Sequence, residues 1–340
     1  MVVVPKDRSI YEFTALQHPA DNDESVVTTT HYDFNFIHDT LVKLDLLGHD
    51  GPTLLKMLCD LAGISIADIP ASDKPTMSLF NSSEALNIKR GELFMDIGTL
   101  GIPEYNTPFL RGILMKIKPT KFSELISING LSHGEGIWIG NGLDLVDSGT
   151  VEFDDVIATR EQIMFKLINW GLDPKMSFDV MESVRKGRGM KPEWVEAMNE
   201  KNVPQWFIDS CRKIGYLFPK PHAAAYAQMS YRIAYFKVHY PLAFYATYFT
   251  IKAPDFDGTL AMKGGEAIKK RFIEIKELGK EAAQKDQNMQ AHLETAYEMY
   301  CRGYTFYPVD LKKSSGTHYT VEDGGLRIPL SGLPGLPASA

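Results

Sequence analysis

Hydrophobic positions follow two spacings along this chain, and the strand-type spacing is confined to its two ends. Residues 2–4, 9–13 and 26–36 are rich in Val, Thr, Tyr and Phe, a composition typical of short strands. Apolar side chains alternate within residues 41–47, which predicts one more strand ending at Gly48. Short strands and turns are also expected in residues 302–330.

Between these ends the spacing is mainly helical. Proline begins several of the predicted helices, because its fixed φ and missing N–H suit the first helical position. The expected helices are 53–61, 81–87, 107–116, 120–128, 154–170, 174–184, 192–199, 204–211, 221–239, 264–279 and 284–301. Residues 130–136 are expected to form a flexible polar loop. The predicted fold class is therefore α+β and predominantly helical.

Composition supports a globular protein of about two domains. The chain has 340 residues, of which 44% are hydrophobic and 23% charged. Its net charge of −7 gives no overall attraction for nucleic acid, so such binding needs local positive patches. Both ends look cut rather than natural, which suggests a piece of a larger protein.

Cysteine usage and hydropathy exclude several classes of protein. The three cysteines, Cys59, Cys211 and Cys301, are far apart and form no C-x-x-C pair. This spacing argues for a reducing compartment and against a disulfide framework or a zinc site. No run of 18 apolar residues occurs, so no membrane span is expected.

One long segment of the chain is free of acidic residues. Between Asp209 and Asp255 there is no Asp or Glu, but there are six Lys or Arg residues. Eleven aromatic residues lie between Tyr216 and Phe249. Positive charges interleaved with rings suit the binding of phosphates and bases. The same pattern is typical of a buried helical hairpin with a tyrosine-rich core, and composition alone favours that alternative.

Two single residues are candidates for a catalytic or metal-binding role. Asp45 lies in an apolar strand pattern, where a carboxylate needs a partner, and Mg²⁺ is one such partner. An ordinary half-exposed aspartate paired with Lys43 is the alternative. His133 is a candidate base in the polar loop, although a loop histidine without an evident partner is more often only solvated.

A basic cluster follows the helix predicted at 174–184. Arg185, Lys186, Arg188 and Lys191 place four positive charges in seven residues that also contain two glycines. Such a composition suits a flexible loop that closes on phosphates. An isolated cluster of this kind is more often a solubilising loop.

Five motifs, in order along the chain, resemble one known family. They are residues 43–50 (KLDLLGHD), 98–104 (GTLGIPE), 130–134 (GLSHG), 181–187 (MESVRKG) and 218–226 (FPKPHAAAY). The family is PolC, the Gram-positive type of bacterial DNA polymerase III alpha subunit, within the C family of replicative polymerases. The resemblance covers residues 1 to about 330.

The resemblance implies a domain order and a reaction. Residues 1–65 would be the end of a polymerase-beta-like palm, residues 66–305 the fingers, and residues 306–340 the start of a duplex-binding helix-hairpin-helix region. The family has three catalytic palm aspartates, which together hold two Mg²⁺ ions, and Asp45 matches the third of them. The other two aspartates lie upstream in the family and have no counterpart here.

Further site residues are also implied only by the resemblance. The positions expected to face the incoming dNTP are Arg185, Lys186, Arg188, Lys220, His222 and Tyr226, with Arg160 and His133 as further candidates. Expected partners are primer-template DNA, dNTP, and, for the intact protein, the sliding clamp and other replisome subunits. The expected location is the cytoplasm, in association with the nucleoid. The alternative function is a non-catalytic nucleotide- and DNA-binding module.

Two positions depart from the family pattern. Pro221 stands where alanine is usual, and proline at a helix start should leave the following helix intact. Pro337 stands where the hairpin usually carries glycine, so hairpin contacts to DNA are not expected from this segment.

Overall fold

The computed structural model describes residues 1–19, 22, 24–44, 48–333 and 335–336. Within these ranges the chain is predominantly helical with small sheets, which confirms the predicted α+β class. The α-helices are α1 Gly51–Ala62, α2 Lys74–Ser78, α3 Pro108–Ile117, α4 Phe122–His133, α5 Leu143–Asp147, α6 Arg160–Asn169, α7 Pro174–Val184, α8 Pro192–Glu200, α9 Gln205–Lys213, α10 Lys220–His239, α11 Pro241–Ile251, α12 Gly258–Ala261, α13 Gly265–Leu278 and α14 Gln284–Cys301.

Short strands form three small sheets among the described residues. The strands are β1 Val2–Val3, β2 Leu16–Gln17, β3 Thr29–Thr30, β4 Val42–Lys43, β5 Thr305–Tyr307, β6 Thr320–Glu322 and β7 Gly325–Arg327. The pairs β1–β4 and β2–β3 are antiparallel. In the third sheet β7 is central, parallel to β5 and antiparallel to β6. The strands predicted in residues 302–330 are thereby confirmed.

Residues 1–50 form one compact unit and residues 51–340 the other. Two strand predictions in the first unit are wrong. Residues 10–12 form a 3₁₀ turn, because the Ser9 hydroxyl accepts from the Tyr11 N–H and the Glu12 carboxylate accepts from the Ser9 N–H. Only β3 is extended within residues 26–36, since Asp33 caps a second 3₁₀ turn through the Asn35 N–H. Local capping bonds outweigh β propensity here.

The second unit has a continuous apolar core to which most of its helices contribute. Proline begins α10 and α11, and the break at Pro241 lets two apolar helices pack side by side. The expectation that Pro221 leaves its helix intact is confirmed, because α10 runs unbroken for 20 residues.

Two helix predictions and one loop prediction need correction. Residues 84–86 form only a 3₁₀ turn, which ends at Asn87 in the left-handed region. The α6 helix begins at Arg160 rather than 154, because Gln162 accepts the backbone N–H of Ala158 and of Thr159. The expected loop 130–136 is helical through His133, and its polar residues bond back to the last turn of α4.

Within the described ranges, no helix is both long and apolar enough to cross a bilayer.

Candidate functional site

Residues 214–219, the α9–α10 connector, bring together four parts of the second unit. The Glu135 N–H donates to the Tyr216 carbonyl at 3.0 Å, and the Gly215 N–H donates back to Glu135 at 2.9 Å. The Leu217 N–H donates to the Arg185 carbonyl at 3.2 Å, and the Arg160 N–H donates to the Phe218 carbonyl at 3.2 Å. The connector therefore holds the ends of α4 and α7 and the starts of α6 and α10 near one another.

One glycine makes the approach of the basic loop possible. At Gly187, φ is +65°, and an added Cβ would lie 2.5 Å from the Gly215 carbonyl oxygen. A larger residue there would push residues 185–191, the basic loop, away from the connector. The glycine explains how a loop with four positive charges lies directly against backbone.

A carboxylate links the starts of α6 and α10. Glu161 accepts the Lys220 N–H at 2.8 Å and the Arg160 Nε–H at 2.9 Å. Burial acts to raise the pKa of Glu161, but these two hydrogen bonds outweigh it and hold that pKa below its ordinary value. Lys220 is exposed, and its ammonium makes no hydrogen bond or ion pair with the residues that the structure describes.

Four rings gather beside the start of α10. The His133 and Phe218 rings stack with centroids 4.5 Å apart and planes 20° apart, and Tyr226 lies parallel to His133 at 6.4 Å. His222 meets Phe218 edge to face at 5.9 Å. The site thus offers aromatic surfaces next to its positive charges.

His133 has defined partners, so the expectation of an unpartnered loop histidine is wrong. Its Nε2 lies 3.2 Å from Glu104, and its Nδ1 lies 2.9 Å from the Asn129 carbonyl. The hydrogen bond to Glu104 raises the pKa of His133 above its ordinary value, although burial opposes the shift. Helix α4 supplies the geometry, since Asn129 precedes His133 by one turn.

The charges of the basic loop differ in their pairing. Arg185 donates to Glu182 from Nε at 2.5 Å and from Nη2 at 2.8 Å, and Lys186 Nζ lies 3.1 Å from the same carboxylate. The bond from Arg185 is the main cause that lowers the pKa of Glu182 to about 2. Arg188 is exposed, and no acceptor for its guanidinium is found among the residues described here.

A small cavity adjoins this arrangement. It has a volume of about 240 Å³, and its lining residues are Ser123, Ile126, Ser127, Asp154, Thr159, Gln162 and Lys220. A larger cavity of about 740 Å³ lies between residues 255–289 and 331–336 and contains none of the predicted site residues. We take the smaller one to be relevant, because Lys220 and the start of α6 line it.

Six of the eight predicted site residues that the structure describes contact the α9–α10 connector or directly follow it: His133, Arg160, Arg185, Lys220, His222 and Tyr226. The other two, Lys186 and Arg188, flank Gly187, whose backbone closely approaches Gly215. The ninth, Asp45, lies outside the described residues. Sequence reasoning missed Glu161 and Glu182, although a glutamate three and four residues before Arg185 and Lys186 is a recognisable pattern of helix ion pairs.

Much of the later part of the acid-free segment is buried and therefore not available to a ligand. Lys237 is fully buried and donates to Glu298 and to the carbonyls of Gly98 and Leu100. Tyr231, Phe236 and Tyr245 are buried as well. The packing alternative is thus correct for the later part of α10 and for α11, whereas the start of α10 is exposed.

This arrangement can bind an anion with several negative oxygens beside a planar group. Positive side chains from the start of α6, the basic loop and the start of α10 lie around the connector, and rings lie beside them. In the parts of the chain that the structure covers, no group of three or more His, Cys, Asp or Glu side chains is placed to hold a metal ion.

Comparisons with known proteins agree with the motifs. Residues 51–203 match the model of the bacterial DNA polymerase III alpha subunit finger domain. Proteins described as DNA polymerase III PolC-type from Caldanaerobacter subterraneus, Oceanobacillus iheyensis and Bacillus subtilis are 49%, 47% and 48% identical over 340 residues. These matches cover the whole chain but only 24% of each relative. Over its whole length, the chain is therefore similar to one part of PolC-type bacterial DNA polymerase III alpha subunits.

Proposed function

We propose that the chain forms the nucleotide-binding part of a DNA-directed DNA polymerase. The reaction is the template-directed addition of dNMP from dNTP to a primer 3′-OH in chromosome replication. The observation that supports it is that candidate residues from three distant parts of the sequence, 130–134, 160 and 185, meet the connector before α10, in a chain similar over its length to PolC-type polymerases. Residues 51–203 match a finger domain, which is consistent with a dNTP site in this unit.

The exposed cations supply the phosphate contacts in this proposal. Lys220 and Arg188 face the β- and γ-phosphates, where charge develops as pyrophosphate leaves. Arg185, Lys186 and Arg160 add positive charge from the same side. His133, His222 and Tyr226 form the aromatic surface beside the new base pair, and template pairing selects the base.

Asp45 is the proposed metal ligand and catalytic residue. When bound, Mg²⁺ lowers the pKa of the primer 3′-OH and neutralises the triphosphate. The residues that the structure covers do not fit a two-metal centre by themselves. We expect Asp45→Asn in the full-length protein to abolish synthesis and to leave DNA binding largely intact. Near-normal turnover in this variant would remove Asp45 from the proposed centre.

The remaining assignments extend the same proposal. Residues 1–65 contribute to the palm, 66–305 form the fingers and 306–340 begin the duplex-binding region. Primer-template DNA and dNTP are the direct partners, and the sliding clamp and replisome subunits are partners of the full-length protein. The site of action is the cytoplasm, at the nucleoid.

A kinetic comparison tests the dNTP site. Lys220→Ala in the full-length protein is expected to raise the KM for dNTP or to lower kcat in primer extension. Lys270→Ala, an exposed lysine of α13, is the control and is expected to behave like the unmodified protein. Unchanged KM and kcat for Lys220→Ala would contradict the assignment. Primer extension by the chain of residues 1–340 alone separates a complete polymerase from a binding module.

A further inference from the structure

The carboxylate of Glu182 contacts two cations of the basic loop, although Glu182 itself belongs to helix α7. It occupies the last turn of α7, and its carboxylate accepts two hydrogen bonds from Arg185 and lies 3.1 Å from Lys186 Nζ. The side chains of Glu182, Arg185 and Lys186 are 25%, 22% and 39% exposed. All three groups are therefore partly covered yet accessible to a ligand.

The pairing with Arg185 leaves the guanidinium able to bind a second anion. A guanidinium has five N–H bonds, and it presents two edges on which two parallel N–H groups point outward. Glu182 takes the edge formed by Nε and Nη2. The edge formed by Nη1 and Nη2 is left, and it makes no hydrogen bond to the residues that the structure describes, although the charge of Glu161 also acts on the group. That edge matches two oxygens of a phosphate.

The backbone at Arg185 is fixed as well. Its carbonyl accepts the Leu217 N–H of the α9–α10 connector, and its N–H donates to the Met181 carbonyl at 2.9 Å. With the carboxylate holding one edge of the guanidinium, both ends of this long side chain are restrained. A restrained arginine loses less conformational entropy when it binds a ligand than a freely moving one.

The position of the carboxylate is costly for the helix by itself. The end of α7 carries the negative end of the helix dipole, where a cation is favoured and an anion is disfavoured. The contacts with Arg185 and Lys186 offset this cost.

We propose that Glu182 is a positioning residue for dNTP binding, holding Arg185 and Lys186 in the orientation that receives the triphosphate. This inference rests on the proposed function. The opposite role, in which Glu182 masks the two cations, predicts tighter dNTP binding when the carboxylate is removed. The free edge of Arg185 favours positioning, because the pair does not have to break before a phosphate binds.

The test compares Glu182→Gln and Glu182→Asp with Asp179→Asn in the full-length protein. Asp179 is the matched control, since it is a carboxylate on the same helix that pairs with a lysine, Lys175, outside the basic loop. We expect Glu182→Gln to raise the KM for dNTP roughly 10-fold, as is typical when a supporting hydrogen bond is lost. We expect kcat to change much less, Glu182→Asp to be intermediate, and Asp179→Asn to match the unmodified protein.

A second readout separates positioning from general structural support. Once Arg185→Ala has removed the guanidinium, adding Glu182→Gln should have little further effect on KM, because its main target is gone. Direct binding of Mg-dATP, measured by calorimetry, should weaken in parallel with KM. Urea unfolding reports any loss of fold separately.

The possible outcomes separate failure of the positioning role of Glu182 from failure of the proposed dNTP-binding function. An unchanged or lowered KM in Glu182→Gln, with normal binding and synthesis by the unmodified protein, would overturn the positioning role alone. Additive effects of Glu182→Gln and Arg185→Ala would overturn it too. Absence of dNTP binding and synthesis in the unmodified protein would overturn the proposed function, and the inference with it.

Discussion

The Lys237 ammonium lies 2.7 Å from the Glu298 carboxylate, and both side chains are fully buried. The ammonium also donates to the carbonyls of Gly98, at 2.8 Å, and Leu100, at 2.6 Å. Burial lowers the pKa of Lys237 to about 8, against the attraction of Glu298. The pair thereby links α10, α14 and the loop that carries the GTLG motif.

Lys237→Met is expected to destabilise the fold strongly. The change leaves the Glu298 carboxylate and two carbonyls without their shared donor, and removing one partner of a buried ion pair costs about 3–5 kcal/mol. Urea unfolding, followed by circular dichroism, measures the loss. Lys270→Met, at an exposed position of α13, is the control and is expected to have little effect.

The double variant Lys237→Met/Glu298→Leu refines the interpretation. If the pair is coupled, the double variant loses less stability than the sum of the two single variants. Strict additivity, or a Lys237→Met variant as stable as the control, would contradict a coupled buried pair.

The surroundings of Lys237 could not be predicted from local composition. Its partner Glu298 is 61 residues away in sequence, so the acid-free stretch around Lys237 gave no sign of the carboxylate that packs on it. Helices that begin with proline were predictable, because that signal is local. The turns at 10–12 and 34–36 were missed, since one or two local capping hydrogen bonds decided them.

Gly187→Ala is expected to cost more than Gly189→Ala. Both residues have positive φ, +65° and +74°, for which an L side chain costs about 1–2 kcal/mol. Only at Gly187 would the added Cβ meet backbone, the Gly215 carbonyl, whereas nothing lies within 4 Å at Gly189. Overpacking of this kind adds about 1–3 kcal/mol.

Two measurements check the glycine pair. Urea unfolding should rank Gly187→Ala below Gly189→Ala in stability. The KM for dNTP should rise more in Gly187→Ala, because its loop moves away from the connector. Equal effects of the two variants would mean that the close approach of the basic loop to Gly215 is unimportant.

The contact between His133 and Glu104 should depend on pH. The pKa of His133 is raised in the folded state, so its contribution to stability is full below its unfolded value, about 6.5, and is lost as pH rises through the folded pKa. The stability difference between the unmodified protein and Glu104→Gln should therefore be larger at acidic than at alkaline pH. An NMR titration of His133 in both proteins measures the shift directly.

The control for this prediction removes the imidazole itself: in a His133→Gln background, the effect of Glu104→Gln should lose this pH dependence, because its partner is gone. A stability difference for Glu104→Gln that grows with rising pH would contradict the assigned direction.

The sequence motifs predicted the cations and rings of the candidate site, but not the carboxylates that bind them. Seven of the eight described residues come from three motifs or their immediate neighbours, and Arg160 lies outside the motifs but bonds to the connector. The carboxylates Glu161 and Glu182 were not predicted, because a site for phosphates is expected from its cations and not from the acids that hold them. Glu182 was recoverable from its spacing to Arg185, whereas the bond from Lys220 to Glu161 spans 59 residues and depends on the fold.

Glu161 should stabilise the start of α10 through one hydrogen bond and one charge. Its carboxylate accepts the Lys220 N–H at the positive end of the α10 dipole, as an N-cap side chain does. Glu161→Ala removes both contributions and is expected to cost about 0.5–2 kcal/mol, the usual range for a lost cap. Glu161→Gln keeps an acceptor oxygen without the charge, so its loss should be smaller.

The pH dependence of this contact has the opposite sign to that of His133. The folded pKa of Glu161 lies below its ordinary value, so its stabilisation is present above about pH 4.5 and is lost as pH falls through the folded pKa. Urea unfolding should therefore show the stability difference between the unmodified protein and Glu161→Gln shrinking toward acid pH. Hydrogen exchange at the amides of Lys220 and Ala223 locates the effect, because fraying of α10 should speed exchange there first. Uniform acceleration across α10 and α14 would instead mean that Glu161 supports the whole unit, and that the local capping role is wrong.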